Sequence, residues 1–274
     1  MRINFKNIFK LNHLDIIVVG GLGLIGREAV LALTDLGANV LVLDINKKNF
    51  NDFKEKNHFY NKNKINFKFF DCSKVKDIEK NLKNIFSKKF NPSILVNCSY
   101  PRTKDWKNNN FKKIKLGSFE KNISINLNST IWISKIFADL LVSKKQKGKI
   151  INFGSIYGFL GQDKNLYKNT SMSENLTYAT VKGAIINSTK QFASYYGEKN
   201  ILVNCISPGG IYGPVQGLNK KQEPTFLKNY RKRVPQRRLG NAYEVASVVA
   251  FMCSEGSSYI NGANIIVDGG WSII

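Results

Sequence analysis

The sequence predicts an α/β fold: a single domain built on a doubly wound sheet of about seven parallel strands with helices on both faces. Three observations lead there. Short apolar runs alternate with amphipathic stretches along the whole chain, the pattern of repeated strand-helix-strand units. The first apolar run, "DIIVVG", collapses into glycines and then opens a helical stretch. No linker rich in Pro, Gly or Ser and no internal repeat interrupts the alternation. With 274 residues, 43% of them hydrophobic, the chain can fill a core of that size.

In chain order the predicted strands are 15–20, 39–44, 65–71, 93–98, 149–155, 201–207 and 263–269, each a short run rich in Ile, Val, Leu or Phe. Amphipathic periodicity places helices at 25–36, 75–89, 118–142, 176–197 and 242–253. Two segments, Gly158 to Thr177 and Gly210 to Leu239, are too long and polar for simple connections. Loops of that length in compact domains usually carry function.

Composition excludes several classes. Cys72, Cys98, Cys205 and Cys253 form no C-x-x-C pair, and the two histidines, His13 and His58, cluster with none of them, so neither a structural metal nor a disulfide framework is expected. The basic N-terminus runs into Asp15 and the glycines without a small-residue cleavage site, which argues against a signal peptide. The uncharged run from Ile16 to Gly26 is far shorter than the ~20 residues a membrane span needs, so a cytoplasmic protein is expected. Lys and Arg number 42 against 19 Asp and Glu, a net charge of +23. That balance raises the alternative of a basic nucleic-acid-binding protein on the same scaffold. Against it, the lysines (Lys47, Lys62, Lys88, Lys144, Lys199 among them) are spread and interleaved with Asn rather than gathered in one stripe.

The glycines fall at Gly20, Gly21, Gly23 and Gly26, between a strand and a helix, and the next strand ends in Asp44. That context reads as a dinucleotide-binding turn of a Rossmann-type sheet: glycines let the backbone approach a pyrophosphate, and the helix N-terminus offers unpaired N–H groups. A carboxylate at Asp44 would accept from the adenosine ribose and repel a 2′-phosphate, which favours NAD over NADP. Arg27 and Lys47 are the nearby cations that could reverse this.

In "TYATVKGAI", Tyr178 and Lys182 stand at i and i+4, on one face of a helix. A free tyrosine has a pKa near ~10, and an adjacent ammonium favours the phenolate and brings it into range for acid-base work. Ser155, at the end of a predicted strand, can hydrogen-bond a substrate carbonyl, and Asn126, inside the preceding helix, can hold a relay water.

These pieces, with Asp71, Asn97, "NCISPGGI" (204 to 211) and "YINGANIIVDGG" (259 to 270), resemble the short-chain dehydrogenase/reductase family over nearly the whole chain. The resemblance implies an NAD(P)-dependent oxidoreductase that interconverts a secondary alcohol and a ketone, with a cofactor half at about 14–150 and a catalytic and substrate-loop half at about 151–274. It assigns Tyr178 as general acid/base, Lys182 to lowering the tyrosine pKa and to the nicotinamide ribose, Ser155 to the carbonyl and Asn126 to the water. For the cofactor it implies Gly20, Gly23, Leu24, Ile25 and Gly26 at the pyrophosphate, Asp44 at the ribose, Asp71 and Cys72 at the adenine, Asn97 at the central strand end, and Pro208, Gly209 and Ile211 at the nicotinamide. It also implies a dimer or tetramer built through the helices at 118–142 and 176–197, with "WSII" as an extra contact. Departures from the family pattern are Leu24 at the usual middle glycine, Val19 at the usual threonine, and "NCSY", Asn97 to Tyr100, where N-N-A-G is usual.

The polar insertion beside the site, with Gln162, Asn165, Tyr167, Asn169 and Ser171, suits a sugar or sugar-derived alcohol, and the overall look, including "IYGFLG" and "LTYATVKGAIINSTKQFASYYG", is similar to family members encoded in bacterial surface-glycan and flagellin-glycan pathways. Candidate substrate residues are Tyr100, Arg102, Tyr157, Gln162 and Met172. The cations Arg102, Lys220, Lys221, Lys228, Arg231, Arg233 and Arg237 add a possible carboxylate or phosphate contact. Two further alternatives are a sugar-nucleotide epimerase or dehydratase, whose G-x-x-G-x-x-G spacing Gly20, Gly23 and Gly26 match, and a cofactor-binding regulatory protein without turnover. The chain has no room for the epimerase's separate substrate domain, and the full Asn126, Ser155, Tyr178, Lys182 set argues against the second.

Overall fold

The computed structural model describes residues 5–57, 64–214 and 222–274; Lys62, Lys220 and Lys221 lie outside them. Seven strands form one parallel sheet in the order β3-β2-β1-β4-β5-β6-β7: β1 (Asp15–Val19), β2 (Asn39–Asp44), β3 (Ile65–Phe69), β4 (Ile94–Asn97), β5 (Gly148–Phe153), β6 (Ile201–Pro208) and β7 (Asn264–Val267). Around them lie α1 (Phe5–Ile8), α2 (Leu24–Asp35), α3 (Lys47–Lys56), α4 (Ile78–Lys83), α5 (Leu116–Asn122), α6 (Asn128–Ser143), α7 (Leu176–Tyr196), α8 (Pro224–Arg233) and α9 (Ala242–Cys253). No helix among the described residues is long and apolar enough to cross a membrane.

Strand alternation builds two cores. Ile16 and Val18 of β1, with Val40, Val42 and Val96, face Ala29, Val30 and Leu33 of α2 and Val245, Ala246 and Val249 of α9. Ile17 and Val19, with Leu43, Leu95 and Ile150, face Ile78 and Leu82 of α4, Ile133, Phe137 and Leu141 of α6, and Ala193 and Tyr196 of α7. Both faces of the sheet are therefore buried, which is why its strands read as continuous apolar runs.

All seven predicted strands are present, with ends that differ from the prediction by at most two residues. The helices depart more. The stretch 118–142 is not one helix: α5 ends at Asn122, a π turn covers Ile123–Leu127, and α6 follows. The segment 75–89 holds only a short 3-10 turn and α4. Sequence periodicity misses α3, which shows only Phe50 and Phe53 as buried apolar positions and is started by Asn46 accepting from Asn49 N at 2.9 Å. It misses α8 too, inside the segment read as the loop Gly210 to Leu239, although Pro224 stands in its first turn.

Order reverses between β1 and β4, the switch point where ligands bind in such sheets. Chain leaves the strands at that edge through Gly20, Asp44, Asp71, Tyr100, Ser155 and Gly209, so the sheet itself gathers most of the predicted residues.

Candidate active site

The turn after β1 is shaped by backbone contacts. Gly20 adopts φ +70, and a Cβ there would stand 2.8 Å from the Ser99 backbone. At Gly26 a Cβ would strike the Gly20 carbonyl and lie 2.9 Å from Gly21 Cα, so helix and strand can approach this closely only with glycine. Gly23 caps α2 with no side-chain hydrogen bond, and no acidic residue occupies the first turn. The N–H groups of that turn stay open toward an anion, the fit a pyrophosphate requires. Leu24 turns its side chain away from this turn: its Cδ1 lies 2.5 Å from where a Cβ on Gly213 would stand, so it packs against the segment that follows β6.

Asp44 closes the turn from β2. Its Oδ2 accepts from Leu22 N at 3.1 Å and its Oδ1 from Ile45 N at 2.8 Å and Asn46 N at 3.3 Å, leaving acceptor capacity on Oδ2. Asp71, just past β3, accepts from Ser73 N and from its hydroxyl at 2.6 Å. Cys72 is buried beside Ser99, and burial pushes its thiol up to about 11. Asn97 accepts from Ser99 N and Oγ, while its own Nδ2 is buried without a partner among the described residues. On the far side, Gly209 N donates to Val267 O, Ile211 bridges to Gly240, and Tyr230 Oη accepts from Gly210 N at 2.7 Å. Pro208 ends β6 beside them, buried.

Tyr178, Ser155 and Lys182 converge opposite this turn. Asn175 caps α7 and accepts from Tyr178 N at 2.9 Å, fixing the helix start two residues ahead of Tyr178. Ser155 accepts from Tyr157 N at 3.2 Å. Burial lifts the Tyr178 phenol above its ordinary value, and a hydrogen bond with Ser155 works against that rise. Lys182, only 5% exposed, donates to the Phe153 carbonyl at 2.7 Å and lies 5.8 Å from the Tyr178 ring centre. Burial holds its ammonium down at about 8. The Lys182 ammonium is turned to Phe153, so its hydrogen bond runs to the β5 backbone and the Tyr178 ring lies further off.

Asn126 sits in the π turn, fully buried. Its Nδ2 donates to Pro101 O at 2.9 Å, its side chain lies beside the Tyr100 hydroxyl, and its carbonyl accepts from Ser129 and Thr130. A π turn inside a helix is a common mark of a functional position.

Of the substrate candidates, Tyr100 packs edge-on against Tyr178 with ring centres 5.3 Å apart. Arg102 follows it, exposed. Tyr157 and Met172 are half-buried and pack with Ile156 and Leu166. The Gln162 amide is engaged with backbone: it donates to Asn175 O and accepts from Asn175 N, both at 2.9 Å, so it braces the insertion onto the start of α7. Lys228, Arg231 and Arg237, with Lys232, line a separate cavity of about 490 Å³ on α8, and Arg233 lies over Trp271.

Sequence reasoning missed two residues here. Trp106 is buried against both Tyr100 and Tyr178, at 5.2 and 6.4 Å, and Asn175 donates to its carbonyl. Only Asn175 left a signal, a capping residue directly before a predicted helix.

A family model described as enoyl-(acyl carrier protein) reductase matches residues 23–272. The chain is 28% identical over 270 residues to the 3-oxoacyl-[acyl-carrier-protein] reductase FabG of Buchnera aphidicola subsp. Schizaphis graminum, covering 95% of this chain and 98% of that protein. It is 26% identical over 259 residues to the post-translational flagellin modification protein A of Campylobacter coli, covering 94% and 98%. A solved short chain dehydrogenase of Leptospira borgpetersenii serovar Hardjo-bovis with bound NAD+ superposes with TM-score 0.78 at 31% identity, covering 99% of this chain and 97% of that one. This chain belongs to the short-chain dehydrogenase/reductase family and is an oxidoreductase acting on CH–OH groups.

Proposed function

We propose that the chain interconverts a polar secondary alcohol, a sugar or sugar derivative, and its ketone, with NAD as the favoured hydride carrier. The observation that carries the reaction is the convergence of Tyr178, Ser155 and buried Lys182 across from an open glycine turn. A bound dinucleotide would supply the hydride acceptor. Ser155 holds the substrate oxygen beside Tyr178, whose phenolate takes the hydroxyl proton during oxidation and whose phenol returns it during reduction. The buried Lys182 ammonium stabilises the phenolate whenever that proton has moved.

Asp44 supports NAD, since its Oδ2 can accept from a ribose hydroxyl and its charge opposes a 2′-phosphate. Comparing kcat/KM for NAD and NADP tests this; Asp44→Ala should narrow the preference by roughly ten-fold or more. An unchanged ratio would remove Asp44 from cofactor choice.

A second reading has its own observation: the cavity lined by Lys228, Arg231, Lys232 and Arg237 suits an acidic carrier, and a relative is a 3-oxoacyl-[acyl-carrier-protein] reductase. Sugars, nucleotide-sugars and acyl-thioester ketones assayed side by side at 340 nm separate the two. Turnover of acyl thioesters alone would overturn the sugar reading. Assembly through α5, α6 and α7 is part of this proposal, since Trp132 and Tyr195 are exposed on α6 and α7; the mass of the particle in solution tests it.

A further inference from the structure

The ammonium of Lys182 is buried where no carboxylate among the described residues answers it. The titratable groups facing it are the rings of Tyr100 and Tyr178 and the thiols of Cys98 and Cys205. Both thiols are held neutral by burial. One hydrogen bond, to the Phe153 carbonyl, is present. A buried cation with one acceptor needs further electrostatic support. Its nearest such surface is the face of Tyr100, whose ring centre lies 4.9 Å from Nζ, closer than that of Tyr178.

Tyr100 is itself locked. Its ring meets Trp106 edge-on at 5.2 Å and 77° and Tyr178 at 5.3 Å and 70°. Its hydroxyl is buried next to the Asn126 side chain. The ring meets the site through its faces and edges, with Lys182 over one face and Trp106 and Tyr178 in edge contact.

We propose that Tyr100 is a positioning residue for the catalytic pair: its ring face holds Lys182 charged and in place, while its edge contact fixes Tyr178. The end of β4 then tunes chemistry performed from α7. The functional meaning rests on the oxidoreductase reading above, but the test reads a folding equilibrium and needs no substrate.

Urea unfolding of the full chain from pH 6.5 to 10.5 reports the Lys182 titration through the pH dependence of stability. Tyr100→Phe should leave that titration in place. Tyr100→Leu, similar in bulk but without a π face, should shift it downward by on the order of one pH unit. In a Lys182→Met background the extra destabilisation by Tyr100→Leu at pH 7 should shrink to that of a simple packing change. If Tyr100→Leu does not fold, ring-fluorinated phenylalanine at position 100 keeps the shape, weakens the negative face and should give the same direction of shift. Equal titrations for Phe and Leu, or an undiminished loss in the Lys182→Met background, would overturn the proposal. A shift without turnover on any alcohol would defeat the oxidoreductase reading and leave the positioning role standing.

Discussion

Around Gly20 the groups that can meet a dinucleotide are backbone atoms of one continuous segment, whereas around Tyr178 they are side chains delivered by β4, the π turn, β5 and α7. The first region tolerates little change in shape and needs almost no electrostatic adjustment. The second brings together a phenol raised by burial and an ammonium lowered by it. Backbone recognition is therefore limited by sterics, and side-chain catalysis by desolvation.

The largest effect should come from Tyr178→Phe, which keeps the ring contacts with Tyr100 and Trp106 but removes the exchanging proton. Turnover should fall roughly 10²- to 10⁴-fold while dinucleotide binding, followed by fluorescence titration, stays nearly intact. Retained activity would move the acid-base role elsewhere. Lys182→Met should separate function from stability. The folded-state pKa of Lys182, about 8, lies below its ordinary 10.5, so the stability tied to its neutral form is present above 10.5 and lost as pH falls toward 8. At pH 7 the variant should lose activity yet unfold at higher urea, by up to about 3 kcal/mol less the lost Phe153 hydrogen bond. That gain should vanish near pH 10.5.

Gly26→Ala probes the other region. Its Cβ has no room against Gly20 and Gly21, so a cost of about 1–3 kcal/mol in unfolding free energy and a fall in dinucleotide affinity of roughly ten-fold are expected. Normal affinity would show that the turn can open without harm. Smallest is Asn175→Ala, which removes the cap of α7 and its hold on Trp106: about 1 kcal/mol of stability and a several-fold lower kcat, with cofactor affinity unchanged.

The two regions also differ in how far they could be read in advance. Gly20, Gly23, Gly26 and Asp44 lie in one strand-turn-helix-strand unit whose order in sequence is its order in space, and Ser155, Tyr178 and Lys182 carry a recognisable spacing. Trp106 was unreadable because its contacts are to Tyr100 and Tyr178, and nothing in sequence marks a tryptophan as facing them. Gln162 looked like a substrate contact because it is polar and lies in the insertion; only its pairing with Asn175 shows it as a brace. The helices α3 and α8 hid behind lysine-rich faces, and the break at Ile123–Leu127 was invisible because a π turn keeps apolar periodicity while shifting its phase.

By itself, then, the sequence determined the parallel sheet, the glycine turn and the candidate set of Ser155, Tyr178 and Lys182, because apolar period, glycine and local spacing act within a few residues. Tertiary structure alone decided how deeply Tyr178 and Lys182 are buried and what else they touch. Whether an ammonium four residues from a phenol lowers its pKa depends on how deeply both are buried and what else the ammonium touches. Here Phe153 and Tyr100, distant in sequence, meet Lys182 beside Tyr178.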